Sequence, residues 1–235
     1  MGAWGEGILQ NDTAQDGLVS AASEIERAIE GMGEEDWPQL LAGLGLLVQF
    51  SPYSLSAENA FSETLADKVK AFRPRMGELS EALAATLDAV AERREPAYDV
   101  IKFAPELETA LHGPEATEFA MQKTWARPPG GCFDPPQAKA FLQAFAERRI
   151  AAVDADFAED DAVGDLSRES VAMGDFALLL IVDAIHVDPA VFERWRKRWH
   201  EGREEPHPSE ASFFDVHNRC VEQAFEYAIA RFTGA

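Results

Sequence analysis

Asp183 and His186 stand three residues apart, and a second imidazole, His217, lies further along the chain. On a helix, residues three apart share a face, so this carboxylate and imidazole would present two ligands to one metal ion. A His217 meeting them across a helical core would complete a zinc or di-metal centre, and the chemistry would be metal-dependent hydrolysis. Arg168, Asp175 and His186 also fall on one stripe if a helix runs unbroken over residues 166–187. The more economical reading of all these residues is polar groups satisfied inside, or at the rim of, a helical core. No nucleophile elbow, phosphate loop, zinc-protease helix or Cys–His signature accompanies them. Cys132 and Cys220 lack metal-site spacing and cannot form a disulfide framework. In the acidic stretch from Asp154, a calcium loop would need an oxygen ligand at Ala158 and a glycine at Glu159. No catalytic residue is therefore assigned, and no cofactor is called for.

The elements that would position these residues are helices. Ala14, Leu18, Ala21, Ala22, Ile25 and Ile29 recur at three- and four-residue steps, which predicts a helix over 12–31. Asp36-Trp37-Pro38 opens a second helix, and the run that follows, LLAGLGLLVQF, is apolar nearly all round, so that helix is central and buried. Further helices are predicted over 56–73, 77–94, 136–160, 166–187, 189–201 and 210–232, with short ones started by Pro105 and Pro114. No strand-like alternation and no internal repeat is visible. RPPGGCFDPP, with four prolines and two glycines in ten residues, marks the best boundary. The expectation is an all-α, multi-helix bundle of eight to ten helices with a Gly/Trp-rich amino-terminal plug. Its regions would be 1–126 and 127–235, unless the two form one continuous domain.

Charge is the unusual property. The 235 residues carry 42 Asp and Glu against 21 Lys and Arg, a formal net charge of −21. Residues 1–67 hold twelve of the acids and a single base, Arg27. Such a field works against a phosphate backbone and attracts basic proteins or cations. No run reaches membrane-spanning length, and the early apolar pair Ile8-Leu9 is far short of a signal peptide, so the expected setting is cytoplasmic. The one basic island is ERWRKRWHEGR, with Arg194, Arg196, Lys197, Arg198 and Arg203 beside Trp195 and Trp199. Phe192, Trp195 and Trp199 sit at core spacing, which turns the rings inward and the cations outward. A cationic face of this kind suits an acidic surface of the same chain, or a homo-oligomer contact through Arg194, Arg196, Lys197 and Arg198.

The chain opens with MGAWGEGILQNDTAQDGL. Gly5 and Gly7 let the backbone pass close to a neighbour, and Trp4 can bury a large ring. Asn11, Asp12 or Thr13 can cap the first helix, and Asp12 and Asp16 lie near its positive end, where carboxylates are favoured. The segment therefore reads chiefly as a plug folded back over the helices, and secondly as a binding surface of Trp4, Gly5, Gly7, Asn11, Asp12 and Asp16. The pattern W-G-x-G-x-x-x-N-D-x-A-x-D, made by Trp4, Gly5, Gly7, Asn11, Asp12, Ala14 and Asp16, resembles the amino-terminal signature of a bacterial family catalogued as domain of unknown function 4259. Leu9 stands where that family usually has Phe, and Gly17 often corresponds to an aromatic. The resemblance covers about the first 20 residues and implies no activity, cofactor or catalytic residue.

Net charge, the lack of catalytic motifs and modest size together predict a non-catalytic acidic interaction protein, such as an inhibitor or immunity-type protein binding a basic partner. The alternatives are the metal-dependent hydrolase around Asp183, His186 and His217, and a structural homo-oligomer.

Overall fold

The computed structural model describes residues 7–10, 12–54, 61–97, 99–114, 125–158, 166–182, 184–202 and 211–234. For residues 12, 13, 50–54, 166–171, 211 and 212 it gives the backbone alone. The fold is all-α. The described residues form α1 (Asp12–Glu30), α2 (Trp37–Ser54), α3 (Glu63–Phe72), α4 (Glu81–Ala91), α5 (Pro105–His112), α6 (Pro136–Ala158), α7 (Leu166–Ile181), α8 (Pro189–Gly202) and α9 (Ala211–Thr233). A two-residue antiparallel ladder joins β1 (Val100–Ile101) to β2 (Trp125–Ala126), pairing Val100 with Ala126 and Ile101 with Trp125. The helix expected after Pro114 lies outside the described residues.

The chain forms two compact units, each assembled from separated stretches. One comprises residues 1–18, 103–122 and 145–235, and the other 19–102 and 123–144. A division between residues 126 and 127 coincides with neither unit's limits. α1 and α6 each contribute residues to both units.

In the first unit α9 packs against both α5 and α8. Its core is aromatic. Phe176 of α7 stacks on Phe225 of α9 with ring centroids 4.8 Å apart, and meets Phe192 at 5.6 Å and Trp195 edge-on at 6.0 Å. Trp195 and Trp199 are both buried, as the core spacing of α8 predicts. α8 starts where Asp188-Pro189 places it, with Asp188 Oδ1 accepting the Ala190 N–H at 3.0 Å. α7 ends at Ile181, six residues short of the predicted 187. The reason is non-local. The Arg231 guanidinium on α9 donates to the Leu180 carbonyl and, at 3.0 Å, to the Val182 carbonyl, satisfying acceptors that the helix end leaves open.

In the second unit α2 is buried throughout Leu40–Gln49, as its all-round apolar pattern predicts. Two glycines let neighbours reach its backbone. A Cβ on Gly43 would stand 2.3 Å from the Ile29 Cγ2 methyl, and one on Gly45 would stand 2.9 Å from the Phe133 ring and 3.0 Å from Cys132 Cβ. Phe133 and Cys132 belong to the proline-rich stretch after β2, which is thus packed onto α2. That stretch is tied again where the Ser80 hydroxyl donates to the Gly130 carbonyl at 3.1 Å. α3 and α4 pack together. They begin at Ser62 and Ser80, each side-chain oxygen accepting the N–H three residues on, from Leu65 and Leu83. Both helices are shorter than predicted, because these caps fix their starts at residues 63 and 81.

Candidate functional site

The described part of the amino-terminal pattern packs within the first unit, Gly7 against the end of α5 and the Ala14 backbone against Gly174 of α7. Helix α5 leaves its last four carbonyls without intrahelical donors. The Gly113 N–H takes the Thr109 carbonyl at 2.8 Å, and the N–H groups of Ile8 and Leu9 take those of Ala110 and Leu111 at 3.0 Å each. The segment that supplies them is a tight turn. The Gln10 N–H donates to the Gly7 carbonyl at 2.9 Å, and the Gly7 N–H donates to Gln10 Oε1 at 3.2 Å. The Gln15 side chain on α1 holds the Leu9 carbonyl at 3.0 Å.

Gly7 has to be glycine here. A Cβ would lie 2.5 Å from the Leu111 carbonyl oxygen, the His112 carbonyl carbon and the Gly113 nitrogen, all backbone atoms that cannot swing aside. The same restriction recurs at Gly174 of α7, where a Cβ would stand 2.7 Å from the Ala14 backbone oxygen. Ile8, Leu9, Gln10 and Ala14 are all buried, and Asp16 is exposed. Trp4, Gly5 and Asn11 lie outside the described residues, and Asp12 opens α1 with only its backbone described.

Arg194, Arg196, Lys197 and Arg198 of the basic island lie on α8 and are met by carboxylates and a carbonyl of the same unit, while Arg203 lies outside the described residues. Asp154 of α6 accepts Arg194 Nη2 on both oxygens, at 2.8 and 2.9 Å, and also the Trp195 indole N–H at 2.7 Å. Arg196 pairs with Glu222 of α9 and approaches Glu226 at 3.8 Å. Lys197 lies 3.7 Å from Glu201, and Arg198 donates to the Phe157 carbonyl at 2.9 Å. Glu222 also faces His200 at 3.2 Å. Beside these pairs runs an open groove of about 620 Å³ lined by Glu193, Arg196, Lys197, His200, Glu201 and Ile229. Its two arginine and lysine charges are balanced by Glu193 and Glu201, so it offers neither sign of charge an advantage.

Two of the three candidate metal ligands are described, and they fall in different settings. Asp183 lies outside the described residues. His186 is exposed in the non-helical stretch after α7, so the helical face that would have paired it with Asp175 ends before reaching it. His217 is buried in α9, its ring parallel to that of Phe213 at 6.2 Å. Its neighbours on the buried stripe are Cys220, Val221, Ala224, Phe225 and Ala228, the core face that the spacing predicts. Among the described residues, no group of three His, Cys, Asp or Glu side chains is arranged to hold a metal ion.

Sequence reading missed Arg149, the partner of Asp175. Its Nη1 donates to Asp175 Oδ1 at 3.0 Å with both side chains largely buried, and its guanidinium lies over the Phe145 ring at 5.7 Å. The signal was present on one side only: a carboxylate inside the apolar run of α7 demands a charged or hydrogen-bonding partner. His112 was also missed. It is buried at the end of α5, and burial pushes its pKa down to about 4. The Cys132 thiol is pushed up to about 12, first by burial and then by the nearby Asp134 charge, so it is inert rather than nucleophilic.

Among the described residues, no helix is long and apolar enough to cross a membrane. Comparison of the chain with protein-family models, with curated proteins and with solved structures gave no match.

Proposed function

We propose that the chain acts without catalysis, as an acidic interaction module of inhibitor or immunity type that captures a basic protein partner in the cytoplasm. The observation that carries this reading is the engagement of the four described cations of the basic island within their own unit. Arg194, Arg196, Lys197 and Arg198 each face a carboxylate or a carbonyl of the same chain. The net charge of −21 is then what the molecule offers to its surroundings. A field of this size steers an oppositely charged protein into encounter, raising association rates roughly 10- to 1,000-fold at low salt. It repels nucleic acid by the same means.

The engagement of those four cations also leaves a homo-oligomer contact through them with less to offer than the intrachain pairs already supply. Kinship with the family called domain of unknown function 4259 is part of the same proposal. Gly7, a glycine of the pattern, lies where a Cβ would meet the backbone of residues 111–113, and the Ala14 backbone is approached closely by Gly174.

The test uses the product of the reading frame adjoining this one, provided that product is rich in Lys and Arg. Titration calorimetry of the two purified proteins should give a saturable complex of fixed stoichiometry. A neighbour without basic character, or no heat of binding at micromolar concentrations, contradicts the proposal. Elemental analysis of protein purified without chelator should find no stoichiometric transition metal; a bound metal would favour the hydrolase instead.

A further inference from the structure

We draw no further inference here: the strongest candidate, the open groove along α8 where His200 faces Glu222, is lined by charges of both signs, and nothing in the structure shows what covers it.

Discussion

Gly174→Ala sets two effects of opposite sign against each other. Gly174 lies inside α7, where replacing glycine by alanine ordinarily stabilises a helix by about 1 kcal/mol. Here the added Cβ would stand 2.7 Å from the Ala14 carbonyl oxygen and 3.2 Å from the Ala14 Cα. Carbon contacts are most favourable at roughly 3.5–4.0 Å, and both opposing atoms are backbone, so α1 and α7 would have to separate locally. Overpacking against backbone atoms at these distances falls in the upper part of the usual range, about 2–3 kcal/mol. The packing cost outweighs the propensity gain, and the expected net loss is about 1–2 kcal/mol. For a chain of this length that lowers Tm by roughly 2–8 °C. Thermal and urea unfolding followed by circular dichroism and tryptophan fluorescence would measure it. Gly130→Ala is the control, because nothing lies within 4 Å of its Cβ position and its φ is not positive. It should be neutral or stabilising by up to about 1 kcal/mol. A stabilised Gly174→Ala would refute the close approach of α1 and α7.

Other perturbations separate strong contacts from weak ones. Arg194→Ala removes an exposed pair and should cost under about 1 kcal/mol, whereas Asp154→Ala also strands the buried Trp195 indole N–H and should cost about 1–3 kcal/mol, both read from urea midpoints. Arg149→Met leaves the Asp175 carboxylate buried without that ion pair and should cost about 3–5 kcal/mol; a loss below 1 kcal/mol would contradict burial of the pair. Cys132, with its thiol held at about 12, should be alkylated at pH 8 about a thousand-fold more slowly than a free thiol until the protein is unfolded. Labelling of the native protein at the free-thiol rate would show that this thiol is reachable.

Local chemistry made most of the helices legible. α8 is the clearest case, because Pro189 fixes its start and Phe192, Trp195 and Trp199 fix its buried face within a single turn pattern. The end of α7 was not legible. Val182, Ile185 and Val187 continue an apolar pattern, and the group that closes the helix is Arg231, on α9. The proline-rich stretch shows the same limit. Its composition excludes helix, but its docking onto α2 depends on the missing side chain of Gly45. Two-residue strands lie below any periodicity. Site residues were harder still. Asp175 signals a need for a partner, yet nothing near it in the chain names Arg149. His112 looks like an ordinary last-turn cation until the burial around it is seen.

Steering by negative potential is the claim on which the functional reading depends, and the association rate with the basic partner tests it most directly. Stopped-flow association between roughly 0.05 and 0.5 M NaCl shortens the Debye length from about 14 Å to about 4 Å. The rate should fall tenfold or more over that range. A rate indifferent to salt would contradict the claim.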